Sequence, residues 1–222
     1  MEGPPPVAGW YGKLPALGDF ASRRLPPAFI APWDAWLQRG LAASRAMLGE
    51  RWLDVYLNGP LWRFALLPGL CGPTGWLGTL MPSVDRVGRH FPLTLALEVP
   101  TAADALAAVG HATGWFAALE QAALACLDIR CQPEHLEARL AAWWPDGAAG
   151  ALLLNLPGTA AAVIGSAAAI RLAQDAGPVS IWWREGTPAA GGRLLVFRGL
   201  PVERDFMLLL DDAQAGGAGP AG

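Results

Sequence analysis

Three stretches of this chain, RFALLP from residue 63, LTLALEV from residue 93 and ALLLNL from residue 151, carry apolar side chains at consecutive positions. A strand turns successive side chains to opposite faces, so a strand that is apolar throughout has to be covered on both. That requirement excludes a sheet with one wet face and calls for helices on two sides. The cover is present. LPPAFIAPWDAWLQRGLAASRAML places Phe29, Trp33, Trp36, Leu37 and Leu41 at helical spacing, with prolines where first-turn amides lack partners. DALAAVGHATGWFAALEQAALACL and PEHLEARLAAWW are alanine- and leucine-rich helical segments, the second with Leu136, Leu140 and Trp143 or Trp144 on one side. LGERWLDVYLNG predicts a shorter helix stopped at Asn58, Gly59 and Pro60, and FMLLLDD a closing one. GWYGKLPALGDF, LWRFALLPG, WLGTLMPSV, FPLTLALEV, VSIWWRE and RLLVFRG read as strands with their turns, Phe91 to Val99 being an extended apolar one.

With 222 residues and 53% hydrophobic content the chain can bury a full core. One domain over residues 9–212 is expected, after a proline-rich lead-in at 1–8 and before a mobile glycine-alanine tail at 213–222. A net charge of −3 offers no basic surface for a phosphate backbone, so nucleic acid is not an expected partner. The N-terminus lacks the pattern of a secretory signal, and the most apolar window, around residues 148–173, is broken by Asn155, Pro157 and several glycines, so a cytoplasmic protein without membrane insertion is expected. Cys71, Cys126 and Cys131 sit in apolar contexts and read as reduced and buried; the spacing of the last two lacks a second ligand pair, so neither metal nor other cofactor is expected.

The polar residues concentrate in MPSVDRVGRHFPLTLALEV, where Ser83, Asp85, Arg86, Arg89 and His90 crowd ahead of an apolar strand. A serine hydrolase reading would use Ser83 with a histidine, but the serine is not on a GxSxG elbow. No phosphate-binding glycine loop or clustered metal-binding carboxylate is present either. The other reading is a charge network. Arg63, in an apolar strand, needs a carboxylate, and Asp85 and Asp19 are its candidate partners, with Lys13, Ser83, Arg86 and Arg89 alongside. The same arginines, with tryptophan, have the composition of an interface hot spot. Eleven tryptophans are far above ordinary usage; Trp36, Trp52 and Trp76 read as core. Trp62 and the pair Trp182–Trp183 belong to the same candidate network: in a strand the pair must point to opposite faces, so either both faces are covered or one ring is left for a partner.

Taken in order, GWYGKLPALGDFASRRLP, PWDAWL, YLNGPLWRFAL, MPSVDRVGRHFPLTLAL and SIWWREG resemble the TagF (ImpM) family of type VI secretion-associated proteins, over about residues 9 to 210. The matching positions are Gly12, Lys13, Pro15, Gly18, Asp19 and Phe20 in the first motif, Trp33, Asp34 and Trp36 in the second, and Trp62 and Arg63 in the third. Ser83, Asp85, Arg86, Gly88, Arg89, Phe91 and Pro92 form the most specific motif. The resemblance implies a three-layer α/β/α sandwich around a mixed, largely antiparallel sheet. It also implies a cytosolic accessory protein that restrains type VI secretion after translation by binding the forkhead-associated scaffold protein of that system, and it carries no catalytic assignment over to any of these positions. Some relatives are joined to a PP2C-like phosphatase, which makes an adaptor that recruits a separate phosphatase the second reading; a weak serine hydrolase using Ser83 is the third.

Overall fold

The structure, a computed structural model, describes residues 6–142, 177–186 and 192–210, apart from the side chains of residues 110 and 111. The expected ALLLNL strand and the Trp143–Trp144 pair lie outside the described residues. Among the described residues, seven strands form one open sheet: β1 (Gly9–Gly12), β2 (Ala21–Arg23), β3 (Trp62–Leu66), β4 (Gly75–Met81), β5 (Leu93–Val99), β6 (Val179–Arg184) and β7 (Arg193–Arg198). Their order is β2-β1-β5-β4-β3-β6-β7, and every ladder is antiparallel. The strand expected from Phe91 begins only at Leu93, because Pro92 has no amide proton to give a ladder.

Helices cover both faces, as the apolar strands require. On one side lie α1 (Pro27–Leu48), α2 (Trp52–Leu57) and α6 (Glu203–Leu210); on the other lie α3 (Ala102–His111), α4 (Thr113–Ala125) and α5 (Pro133–Ala142). Period-2 alternation divides β3 between them: Trp62, Phe64 and Leu66 enter the core beneath α1, and Ala65 enters the core beneath α4. The α1 stripe Phe29, Trp33, Trp36, Leu37, Gly40, Leu41 and Ser44 is buried, and Pro32 falls on the exposed side, where water can replace the hydrogen bond its ring removes. α3 starts on a capping box between Thr101 and Asp104. The single helix expected over residues 104–127 is two, parted at Ala112, where Gly110, Thr113 and Gly114 lower helix propensity together.

Tryptophan dominates the first core. Trp33 lies near Trp36, Phe64 and Trp182, with ring centroids 4.7, 4.9 and 6.0 Å away. A buried indole also needs an acceptor. Trp33 Nε1 donates to Thr94 Oγ1 at 2.9 Å, Trp36 to the Pro201 carbonyl at 2.8 Å, Trp52 to Ser44 Oγ at 2.9 Å and Trp62 to the Leu209 carbonyl at 2.8 Å. These bonds tie α1, β5 and the C-terminal helix into one layer. No helix among the described residues is long and apolar enough to cross a membrane.

Candidate functional site

The residues that the sequence singles out divide between two places. The first is where the loop between β4 and β5 meets the turn between β1 and β2, with Asp85 at its centre. Asp85 Oδ2 accepts from Lys13 Nζ at 2.5 Å and from Arg89 Nε at 2.7 Å. Oδ1 accepts from the backbone amides of Val87 at 3.0 Å and Arg89 at 2.9 Å. An aspartate opening a tight turn bonds amides further along in this way, and Gly88, at φ +82°, supplies the left-handed residue that closes it. Burial by itself would push the Asp85 carboxyl up; the Lys13 ammonium and the Arg89 and Val87 donors outweigh it and hold the group well below the usual carboxylate range.

The two turns are then bonded to each other. The Arg86 amide donates to the Leu17 carbonyl at 2.8 Å, Arg89 Nη2 donates to the Gly18 carbonyl, and the same nitrogen stands 3.6 Å from Asp19. Ser83 Oγ donates to the Lys13 carbonyl at 2.8 Å, and Tyr56 exchanges two bonds with the Ser83 backbone, donating to its carbonyl at 2.9 Å and accepting from its amide at 3.1 Å. The Ser83 hydroxyl is thus buried and committed to a backbone oxygen. His90 sets its ring edge-on to Trp52 and Tyr56, and burial, reinforced by the Arg45 charge against that of Asp85, lowers its pKa and favours the neutral ring.

Above this buried layer lies an exposed one. Phe20 is 45% exposed and Val87 65% exposed, and Arg86, next to Val87 in sequence, faces solvent. Phe20 is pinned from beneath by the Lys13 ammonium, 4.4 Å from its ring centroid, and by the edge of Phe91 at 4.8 Å. Tyr11 stacks 6.0 Å away and donates its hydroxyl to Asp34 at 2.5 Å; burial first, then the Asp34 acceptor, pushes its pKa up.

The second place is the opposite face of the sheet, and it corrects the expected network. Arg63 pairs with neither Asp85 nor Asp19. Its Nε and Nη2 make a fork to the two oxygens of Glu120 at 2.7 and 2.9 Å, and Nη1 reaches Glu185 at 2.6 Å. β3 alternation decides this, because Arg63 points toward α4 and away from α1. Glu120 is the one charged residue in α4, a signal that an acid on an apolar helix needs a cation. The three tryptophans offered as partner contacts are core in this fold: Trp62, Trp182 and Trp183 are 1%, 0% and 2% exposed. Both faces around the Trp182–Trp183 pair are covered, Trp182 by α1 and Trp183 by Phe116 of α4, with ring centroids 4.8 Å apart. The cysteines are free and buried; burial pushes the Cys71 thiol up to about 12, and Cys126 Sγ lies 3.4 Å from Cys131 Sγ. Sequence reasoning missed Tyr56 and Val87 as parts of the first place and had Phe20 only as a motif position, since nothing local marks a side chain as partnered to a distant backbone or left half in water.

A family model described as the TagF N-terminal domain, type VI secretion system-associated, matches residues 9–143. The crystal structure of PA0076 from Pseudomonas aeruginosa PAO1 is similar over 96% of this chain and 96% of that one, with 37% identity and a TM-score of 0.75. No curated protein matches the chain.

Proposed function

The chain belongs to the TagF family of type VI secretion-associated proteins, and from that membership we propose that it is a cytosolic accessory protein that restrains type VI secretion after translation by occupying the forkhead-associated scaffold component of that apparatus. The observation that carries a binding role is the state of the polar groups around Asp85. Lys13, Asp85 and the Ser83 hydroxyl are buried and spent on each other or on backbone, while the side chains left facing solvent are Phe20, Val87, Arg86 and the Arg89–Asp19 pair. Such an arrangement supports a rigid contact surface better than a reacting centre, because a nucleophile has to be within reach of a base and of substrate.

The test is co-purification of the full chain with the purified scaffold component, paired with a secretion assay in cells that overproduce the chain. Stable binding and reduced secretion are expected. Failure to bind, or repression that disappears only when a PP2C-like phosphatase is deleted, would replace this reading with that of a recruiting adaptor or remove it. A hydrolase would show ester turnover that Ser83→Ala abolishes.

A further inference from the structure

We propose that the joined turns at residues 17–20 and 85–89 are a preformed docking tip for an acidic peptide segment, one that places a carboxylate beside an apolar side chain. This inference rests on the binding role above and names its surface. The charge count gives the sign of the partner. Asp85 is saturated by four donors and Asp19 lies against Arg89, whereas the Arg86 guanidinium makes no ion pair or hydrogen bond among the described residues. Across the whole turn of residues 13–20 and the loop of residues 85–89, three cations, Lys13, Arg86 and Arg89, stand against two carboxylates, Asp19 and Asp85; with Lys13 spent on the buried Asp85, the exposed part holds two arginines against one aspartate, one positive charge in excess on a chain whose net charge is −3. Arg86 Nη2 lies 3.5 Å from where a Cβ at Gly18 would stand, so no side chain at that position screens it.

The apolar half of the ligand follows from Phe20 and Val87, both exposed and both attached to backbone that the Asp85 bonds and the Arg86 amide to Leu17 carbonyl bond hold in place. A surface already ordered before binding loses little entropy when occupied, and an aromatic anchor beside an arginine is the usual composition of an energetic centre. One excess charge with two apolar side chains is too little for nucleic acid, which needs a row of cations, or for a membrane surface, which needs a polybasic patch or a long apolar face. A carboxylate on a peptide needs only one guanidinium.

Two arms test the proposal. In the first, the full chain and its Arg86→Glu and Val87→Asp variants are titrated with the scaffold component, with Arg130→Glu, exposed in the α4–α5 loop, as the distant control. Each tip variant is expected to weaken binding about tenfold or more with the melting temperature unchanged, and the control to bind as the parent does. Tip variants that bind like a binding-competent parent overturn the docking tip and leave the regulatory role standing. In the second arm a random peptide library is panned on the full chain and counter-selected on Arg86→Glu. Enrichment of Asp or Glu next to Leu, Ile or Phe supports the tip even if the scaffold component fails to bind, an outcome that would sink the regulatory role alone. No enrichment, or peptides that hold equally to Arg86→Glu, overturns it.

Discussion

Lys13 and Asp85 form a buried ion pair, 4% and 0% exposed at their side chains, and the energetics of such a pair are asymmetric. Removing Lys13 leaves the buried carboxylate with the half-exposed Arg89 as its one remaining cation among the described residues, whereas removing both partners of a buried pair often costs little. Lys13→Met is therefore expected to lower stability by about 3 kcal/mol. The Lys13→Met, Asp85→Asn double variant should lose less than the sum of the singles, because an asparagine oxygen still accepts the Val87 and Arg89 amides. Denaturant midpoints of the four proteins check the cycle. The pH dependence has a definite sign. A carboxyl whose folded pKa is depressed adds stability above its unfolded value, about 4, and loses it as pH falls through the folded one. The advantage of the parent over Asp85→Asn should thus be full near neutrality and shrink below about pH 4. An advantage that stayed constant into acid would show the pair to be energetically idle. At this scale the fold brings Lys13, Ser83, Asp85 and Arg89 together, as the sequence grouped them, but gives Arg63 other partners: burial demanded a carboxylate, and nothing in the local sequence says that Glu120 and Glu185, 57 and 122 residues away, would be nearer than Asp85.

Between elements, the packing of α1 on α6 turns on Gly40. A Cβ there would stand 2.4 Å from the ring of Phe206, itself 1% exposed. Glycine inside a helix is disfavoured against alanine by about 1 kcal/mol, so on propensity Gly40→Ala would stabilise. The close approach reverses the sign, and the variant is expected to lose about 1–3 kcal/mol, read as a lower denaturant midpoint with Trp36 fluorescence perturbed. A gain in stability would mean that α6 slides away without cost. Most elements were legible because the hydrophobic period differs between helix and strand. Those that shifted, the start of β5 and the break between α3 and α4, sit at proline, glycine and threonine positions where local preferences nearly balance.

The whole molecule does not stop where the family match does. β3 is paired on one side with β4 and on the other with β6, which comes from residues 179–184, beyond the matched span of 9–143. Trp182 closes the core under α1, Trp183 the core under α4, and Phe206 fills the space beside Trp36. A fragment of residues 9–143 would expose the β3 edge and open both cores, so it is expected to aggregate or to show no near-ultraviolet circular dichroism, while the full chain shows both a sharp spectrum and one cooperative transition. A folded, monomeric fragment would make the later strands an accessory. What the linear chain determined by itself was the requirement: strands apolar at every position must be roofed on two sides, and an arginine within an apolar strand, Arg63, must find a carboxylate. Which charge meets which, and which arginine is left without an ion pair among the described residues, was decided only by the packed fold, because strand alternation sends neighbours such as Trp62 and Arg63 into different cores and pairing depends on distances that sequence separation does not encode.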